Sequence, residues 1–476
     1  MKRFTCAAAL GAAIALAAAS LAADWTNSGG NPAHDGLTSE LGPDAADLLW
    51  SGGRPSIIAW QPLIEGARVF MVRQTGFPPG GEPNGSPVVC MDLDTGRELW
   101  ATNIPFDPND WTTWVGGAKN GKVYAARSGN GASVWAKLYC LDAATGGVVW
   151  SSRDLISTGA YEGLIFAPNG DPIACSFRDI WRISHVDGTT AWHATRTGSV
   201  SGNCAGAVYG DAVYVVDAAA GGNVVVRFDL NTGARMYESS VMAGFTIQNG
   251  LLAGRDGTVY VCRTQNNAAV DHFYAFADSG AALTEKWRVP SRWCTSAEFA
   301  VGPDGSVYMV APGNIVSRLD PATGATLNTS APIVTETNLT VRMACDRQGR
   351  LYLSNGAFGS GRFYSFTADL TPRWDVAVQN INIGGPAIGL DGTLVICGVG
   401  TDVRAYRTER LHPGDLNCDG AVNFDDINPF VLALSDPTAY ALLYPNCNIL
   451  NGDCNGDGLV NFDDINPFVR LLTGVE

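Results

Sequence analysis

One twelve-residue phrase rich in Asp and Asn occurs twice near the C-terminus. Residues 415–426 read DLNCDGAVNFDD and residues 453–464 read DCNGDGLVNFDD, and each phrase is followed by INPFV. In both phrases, oxygen-bearing side chains stand at positions one, three, five, nine and twelve, and Gly stands at position six. Hard cations such as calcium prefer six or more oxygen ligands, and this spacing brings carboxylates and amides together around a sharp turn. The two phrases therefore predict two calcium-binding loops.

The position of each residue in such a loop predicts its role toward the metal. Side-chain oxygens come from positions one, three, five and twelve, a backbone carbonyl comes from position seven, and position nine often acts through water. The predicted ligands of the first ion are Asp415, Asn417, Asp419, the carbonyl of Ala421, Asn423 and Asp426. The predicted ligands of the second ion are Asp453, Asn455, Asp457, the carbonyl of Leu459, Asn461 and Asp464. Two calcium ions are thus the predicted cofactors.

A short helix is predicted after each loop. Pro429 falls in the first turn of the first helix, where its missing N–H costs little. Each helix then carries a three-residue apolar stripe, Phe430, Val431 and Leu434 in the first copy and Phe468, Val469 and Leu472 in the second. A module of ~60 residues has little core of its own. We therefore expect the two stripes to pack together while calcium holds the loops.

The distribution of charge and cysteine limits the possible partners and cofactors. The net charge is −15, and residues 411–476 hold nine Asp and one Glu against a single Arg. Such an acidic surface excludes nucleic acid, whose phosphates require basic residues. The cysteines form no adjacent pair and no Cys-x-x-Cys motif, so most are interpreted as small buried hydrophobic residues. Near the loops, one disulfide is expected among Cys418, Cys447 and Cys454, with its pairing open.

The N-terminus predicts export from the cytoplasm. A charged start at residues 2–3 precedes an apolar stretch at 6–19 and a small-residue cleavage site at 20–22. This pattern predicts a signal peptide over residues 1–22, cleaved after Ala22 or the next residue. The apolar stretch is too short to span a membrane, and no other segment is suited to do so. The predicted location is secreted, periplasmic or at the cell surface.

The long segment before the loops is predicted to consist of strands. From Trp25 to about residue 408, short apolar runs alternate with Gly, Asp, Asn and Pro turns. A turn phrase, Asp-x-x-Thr-Gly, begins at Asp92, Asp142, Asp229 and Asp320. The bulky residues that end these copies and looser ones are Trp100, Trp150, Tyr237, Leu327, Trp192, Trp287 and Trp374. Their spacing of roughly 40 to 50 residues predicts four-stranded propeller blades.

The number of repeats predicts an all-β propeller of eight blades, with seven as the alternative. The last strands, at 381–408, lack a fourth partner, and residues 47–51 at the other end of the segment can supply it. This closure removes free sheet edges. We expect the Asp and Thr of the turn phrase to bond to nearby backbone, and the Trp residues to pack between blades.

This repeat resembles the PQQ-like (quinoprotein-type) β-propeller superfamily. The opening phrase, residues 24–36, is similar to the start of BamB-like members. The resemblance implies the fold over residues 24–410 but leaves the function open among dehydrogenases, outer-membrane assembly factors and binding scaffolds. Quinone-dependent members stack their cofactor on a vicinal disulfide, and this sequence has no adjacent cysteines. It also lacks a Cys-x-x-Cys-His haem motif.

Residues 411–476 resemble a type I dockerin, a duplicated module of loop plus exiting helix (two F-hand calcium loops). Residues 411–414 leave no room for a helix entering the first loop. The resemblance implies that loop positions ten and eleven and the helix beyond them contact a cohesin domain. The loop positions here are Phe424, Asp425, Phe462 and Asp463. Dockerins usually carry a hydroxyl pair there and basic residues on the helix, whereas this helix has only Arg470. The partner is therefore either cohesin-like or another surface protein.

These features predict a secreted, non-catalytic propeller scaffold tethered to a protein through a calcium-dependent dockerin. The alternative is an enzyme or accessory protein of extracellular polysaccharide breakdown, because dockerins most often accompany enzymes acting on glycosidic bonds. An outer-membrane assembly factor and a quinoprotein dehydrogenase are less favoured. No catalytic residue is assigned, and the ligand of the propeller is unknown. One hypothesis places a sugar or peptide on Trp111 and Trp114, in the polar stretch 109–114.

Overall fold

The computed structural model describes most of the chain beyond residue 23. The described residues are 24–52, 61–73, 87–105, 112–128, 134–158, 164–200, 205–243, 251–263, 271–292, 296–297, 299–333, 340–356, 360–379, 384–398, 403–408, 411–445 and 447–473. The predicted signal peptide therefore lies outside the described residues. The chain divides into two compact units between Thr408 and Glu409.

The described residues of the first unit form eight sheets, one per blade, each with four antiparallel strands, and two of these sheets carry a fifth short strand. Blade 1 contains strands Leu63–Glu65, Arg68–Val72, Val88–Asp92 and Glu98–Thr102. Blade 2 contains Thr112–Lys119, Lys122–Ser128, Tyr139–Asp142 and Val148–Ser151, with a short pair Val134–Ala136 and Ile156–Thr158 beside it. Blade 3 contains Leu164–Phe166, Pro172–Cys175, Asp179–Ile183 and Thr190–Thr195. Blade 4 contains Ala207–Tyr209, Ala212–Ala219, Gly222–Asp229 and Arg235–Glu238, and Met242–Ala243 pairs with its third strand.

The second half of the ring repeats this order. Blade 5 contains Leu251–Ala253, Val259–Arg263, Asp271–Asp278 and Leu283–Ser291. Blade 6 contains Ala300–Val301, Val307–Ala311, Ile315–Leu319 and Thr326–Pro332. Blade 7 contains Thr340–Cys345, Leu351–Gly356, Ser360–Phe366 and Pro372–Gln379, with Ser296–Ala297 parallel to its first strand. Blade 8 contains Ala387–Ile388, Leu394–Cys397, Val403–Tyr406 and Leu48–Gly52, and a 3₁₀ turn spans Leu390–Gly392.

Blade 8 is completed by the N-terminal strand, as the sequence predicts. Leu48–Gly52 runs antiparallel to Val403–Tyr406, with Trp50 opposite Ala405. The strand at the start of the fold is therefore hydrogen-bonded to the strand at its end. The eight-bladed prediction is confirmed, and the seven-bladed alternative is wrong. Closure in this way pairs backbone groups that an open array would expose.

The repeated turn phrase has the structural role that its residue types predict. The Asp92 carboxylate accepts hydrogen bonds from the backbone N–H and the hydroxyl of Thr95, at 2.9 and 2.7 Å. Gly96 adopts a φ of 67°, in the left-handed region that favours glycine. The same Asp–Thr pair of bonds forms at Asp142, Asp229 and Asp320.

Five of the repeated tryptophans join their blade to the next one by a hydrogen bond. Their indole N–H groups donate to backbone carbonyls in the turn of the following blade, at 2.8–3.2 Å: Trp50 to Leu93, Trp100 to Ala143, Trp150 to His185, Trp192 to Leu230 and Trp287 to Pro321. Tyr237 differs, because its hydroxyl donates to Asp278 at 2.5 Å. The predicted packing of these residues between blades is confirmed.

The segment between Trp25 and Gly36 binds the first strands of six blades. Trp25 is fully buried and forms an isolated β-bridge with Ile64 of blade 1. Further along the segment, backbone bonds of 2.7–2.9 Å reach blades 2, 4, 5, 6 and 7, through Ala118, Val208, Ala253, Val301 and Cys345. Because these strands belong to different blades, the segment lies where their first strands meet and ties them together.

The second unit is helical. It contains α1 (Ile427–Ser435), α2 (Pro437–Leu443) and α3 (Ile465–Thr473). Three 3₁₀ turns accompany them, at Phe424–Asp426, Ile449–Gly452 and Phe462–Asp464. Within the described part of the chain, none of the helices has the length and apolar character needed to cross a membrane.

Candidate metal and docking site

The first Asp-rich loop folds around its own carboxylates. Asp415 accepts hydrogen bonds from the backbone N–H groups of Asp419 and Gly420, at 3.2 and 3.0 Å. Asp426 accepts from the N–H groups of Leu416 and Asn417, at 2.8 and 3.0 Å. Residue twelve of the loop is thereby bonded to residues two and three, so the two ends of the loop are held together.

The second loop repeats this arrangement. Asp453 accepts from the N–H groups of Asp457 and Gly458, at 3.0 and 2.8 Å. Asp464 accepts from the N–H groups of Cys454 and Asn455, at 2.9 and 3.1 Å. The corresponding distances in the two loops agree to within a few tenths of an ångström. The duplicated sequence therefore produces a duplicated local structure.

Each loop leads directly into a helix through a reciprocal cap. In the first copy, Asn423 caps the following turn by accepting from the Asp425 N–H at 2.8 Å. The Asp426 carboxylate in return accepts from the Asn423 N–H at 2.9 Å. Asn461 and Asp464 form the same capping box in the second copy. The last two predicted ligands of each loop thus also fix the direction of the helix that follows.

The electrostatics of both loops favour a cation. The first and last carboxylates of each loop, Asp415, Asp426, Asp453 and Asp464, are buried. Burial raises the pKa of Asp415, and the neighbouring Asp426 carboxylate raises it further. Residues 411–476 contain no Lys and only Arg470 to neutralise them. Backbone N–H groups offset only part of the cost of burying these carboxylates, and a bound cation would lower it further.

The donor chemistry of each loop fits a hard cation such as calcium. Every predicted ligand presents oxygen, and Gly420 and Gly458 take φ values of 88°, which allow the sharp turn at position six. Among the described residues, no three His, Cys, Asp or Glu side chains are grouped closely enough to hold a metal by themselves. Calcium binding would therefore also use the amides of Asn417 and Asn455 and the backbone carbonyls at position seven.

A disulfide and one asparagine connect the first loop to the segment that follows α2. Cys418 is bonded to Cys447, while Cys454 remains a free thiol. The buried Asn451 donates through its amide to the carbonyl of Asp415 at 2.7 Å. The backbone carbonyl of Asn451 accepts from the Gly414 N–H at 2.7 Å. Asn451 was missed in the sequence, because a single Asn outside both loops carries no distinguishing signal.

The residues predicted to contact a partner are exposed. The side chains of Phe424 and Phe462 are 74% and 77% exposed, and Asp425 and Asp463 are exposed beside them. Exposed phenylalanine is unfavourable in water unless another surface covers it. The positions therefore suit binding to a partner.

Helices α1 and α3, which follow the two loops, pack through fewer residues than the apolar stripes predict. Phe430 and Phe468 are buried and stack with ring centroids 4.1 Å apart. Val431 and Val469, in contrast, are 54% and 48% exposed. The expectation that the stripes pack together is thus right for the phenylalanines and wrong for the valines. Leu434 and Leu472 are partly buried and pack against the same cluster. The valines instead line an apolar groove of about 340 Å³ between α1 and α3.

The structure also corrects one hypothesis about the propeller. Trp114 is only 4% exposed and belongs to a hydrophobic cluster with Leu164 and Phe166. It is therefore unavailable to stack on a sugar or peptide, and the hypothesis is wrong for this residue. Asn109, Asp110 and Trp111 lie outside the described residues.

The fold and the similarity to known proteins assign the chain to a family. The first unit is an eight-bladed β-propeller. The chain belongs to the family of outer membrane protein assembly factor BamB, whose sequence model matches residues 84–330. No curated protein sequence matches the chain significantly.

Solved structures share the propeller at low sequence identity. BamB from Moraxella catarrhalis is 13% identical with a TM-score of 0.50, covering 76% of this chain and 99% of that one. Quinohemoprotein alcohol dehydrogenase from Comamonas testosteroni is 13% identical with a TM-score of 0.54, covering 83% and 82%. The computationally designed Ika8 protein is 14% identical with a TM-score of 0.53, covering 76% and 100%. At such identities the likeness shows the fold alone.

Proposed function

We propose that this chain is an exported, non-catalytic propeller scaffold that attaches to a protein partner through its C-terminal, dockerin-like module. The module binds two calcium ions, one in each Asp-rich loop. Residues 1–22 direct export and are removed. The observation that carries this proposal is the duplicated loop, which in both copies places buried carboxylates beside an exposed aromatic residue.

The link between calcium and docking runs through the ends of the loops. Asp426 bonds to Leu416 and Asn417 at the loop start and to Asn423 at the helix start. A metal ion held by this carboxylate would therefore fix the turn that presents Phe424. The equivalent contacts of Asp464 would fix Phe462. Calcium removal should free both turns and weaken docking.

Calorimetric titration of the full-length chain with calcium tests the metal sites. We expect two ions per chain. Asp419→Ala should weaken the first site by more than about tenfold, because it removes a ligand, and Asp457→Ala should do the same to the second. Both side chains are exposed, so the fold should survive. Asp425→Ala and Asp463→Ala remove the same charge at non-ligand positions and serve as matched controls.

Two outcomes would contradict the calcium proposal. One is the absence of calcium binding by the full-length chain. The other is an equal loss of calcium affinity in Asp419→Ala and Asp425→Ala. That result would mean that calcium binds to a general acidic surface and not to a defined set of ligands. Export is tested separately by sequencing the N-terminus of the mature protein, which should begin after Ala22 or the next residue.

Family membership favours a second candidate, a scaffold in outer-membrane protein assembly. This candidate uses the propeller alone and needs no calcium. A genetic deletion that impairs outer-membrane protein insertion, and that is rescued by residues 1–408 without the C-terminal unit, would favour it over the tethered scaffold.

A further inference from the structure

The groove between α1 and α3 has the features of a binding surface. Its floor is the stacked pair Phe430 and Phe468, and its walls include the exposed side chains of Ile427, Val431 and Val469. Its volume of about 340 Å³ lies at the small end of the range for ligand pockets, roughly 300–1,000 Å³. An exposed apolar groove is unfavourable in water and favours a partner that covers it.

The groove is shared by the two copies of the duplicated sequence. Ile427 and Val431 come from the first copy, and the equivalent Ile465 and Val469 come from the second. Because the floor also combines one Phe from each copy, neither copy forms the groove alone. A partner side chain seated there contacts both copies at once, which limits binding to one partner per chain.

Two acidic residues lie next to the groove in sequence, Asp463 directly after Phe462 and Asp425 two residues before Ile427, and they define the charge of that partner. Asp425 and Asp463 are exposed, and each follows an exposed Phe. The two proposed calcium ions carry four positive charges against nine Asp in residues 411–476, so the loaded module remains acidic. Opposite charges on two surfaces speed their association and exclude like-charged competitors. These exposed carboxylates therefore complement basic residues on a partner.

One residue breaks the symmetry between the copies. Arg470 on α3 is exposed, whereas the equivalent position on α1 is Leu432, which is partly buried. The basic residues of a partner should therefore avoid the part of α3 around Arg470, which lies seven residues beyond Asp463. This difference favours one of the two orientations that a symmetric groove would otherwise allow.

We propose that the groove binds a single protein surface whose apolar anchor residues are flanked by Lys or Arg. This inference rests on the proposed docking function and specifies the chemistry of its partner. The partner's apolar residues cover the stacked Phe430 and Phe468, and its basic residues face Asp425 and Asp463. An acidic partner is excluded by the same charges.

Two designed peptides probe the groove in the calcium-loaded, full-length chain. One is an amphipathic helix of Leu and Lys, and the other has the same pattern in Leu and Glu. We expect the Lys peptide to bind one per chain, with an affinity that falls as salt rises, and the Glu peptide not to bind. Fluorescence anisotropy of labelled peptides gives the affinities, and calorimetry gives the stoichiometry.

Matched variants test each part of the proposal. Val431→Ser and Val469→Ser should each weaken binding of the Lys peptide by roughly tenfold, since each removes an apolar contact from the one groove. Val149→Ser, at a similarly exposed valine of the propeller, should not. The double variant Asp425→Asn, Asp463→Asn should reduce the salt dependence, whereas Asp154→Asn in the propeller should not.

The experiments distinguish failure of the groove proposal from failure of the proposed calcium-dependent attachment to a partner. Normal calcium binding combined with equal affinity for the two peptides would overturn the basic partner alone. Two peptides per chain, with each Val→Ser variant removing one of them, would overturn the shared groove. An absence of calcium binding would instead remove the function on which this inference rests.

Discussion

The indole N–H of Trp50 donates to the backbone carbonyl of Leu93 at 2.8 Å and so joins the last blade of the propeller to the first. The indole of Trp50 also covers the turn beyond Leu93, where a Cβ added to Gly96 would lie 2.6 Å from the indole carbons. The same contact recurs between other neighbouring blades. The strand that carries Trp50 completes blade 8. The contact at Trp50 therefore links blade 8 to blade 1 and closes the ring of blades.

Replacing Trp50 by Phe should therefore weaken the closure. The ring volume is largely kept, but the hydrogen bond to Leu93 is lost, and we expect a loss of about 1 kcal/mol in the free energy of unfolding. Denaturant-induced unfolding of the full-length chain measures this loss. Trp135→Phe, at an indole that is 54% exposed, is the control and should change stability little. Equal effects of the two substitutions would contradict a special role for Trp50.

The N-terminal segment should be essential to the stability of the propeller. Trp25 is fully buried and its segment bonds to the first strands of six blades. Trp25→Ala should lower the free energy of unfolding by about 3–5 kcal/mol through loss of buried surface and creation of a cavity. Leu48→Ala, at an exposed side chain, is the comparison. A loss below about 1 kcal/mol for Trp25→Ala would show that the segment is peripheral.

The turn phrase should make stability depend on acid pH. The side-chain and backbone hydrogen bonds from Thr145 hold the pKa of Asp142 below its ordinary value. A carboxyl group whose pKa is lower in the folded state stabilises the fold above the unfolded value, ~3.9, and this contribution is lost as pH falls through the folded value. Thr145→Val should raise the pKa of Asp142 in an NMR titration, whereas Thr145→Ser should preserve it. An unchanged pKa in Thr145→Val would be the contrary result.

The disulfide between Cys418 and Cys447 should stabilise the C-terminal unit. The two cysteines are 29 residues apart, and closing a loop of that length is worth about 3–4 kcal/mol in the chain-entropy model. Cys447→Ser should therefore speed hydrogen exchange across α1 and α2 in the full-length chain. Cys454→Ser removes a free thiol and should leave that exchange nearly unchanged. Similar exchange in both variants would mean that the unit does not depend on its disulfide.

Much of the propeller could be predicted because its signals are local and repeated. A turn of Asp, Thr and Gly needs only its own residues to form, and Trp recurs at a fixed distance from it. Blade 8 was predictable because one repeat lacked a strand while Leu48–Gly52 had no other partner in sequence. The burial of Trp114 was not predictable, since aromatic residues in a polar stretch read alike whether they face solvent or the neighbouring strands.

In the C-terminal unit, the sequence by itself determined the two Asp-rich loops and the helices after them, because caps and sharp turns depend on residues close together in the chain. Tertiary structure alone decided that Cys418 pairs with Cys447, since pairing depends on the distance between cysteines in the folded chain. It also decided that Phe430 and Phe468 pack while Val431 and Val469 line a groove. An apolar stripe shows which side chains of a helix favour burial. The angle and spacing of the two helices decide which of these side chains are buried.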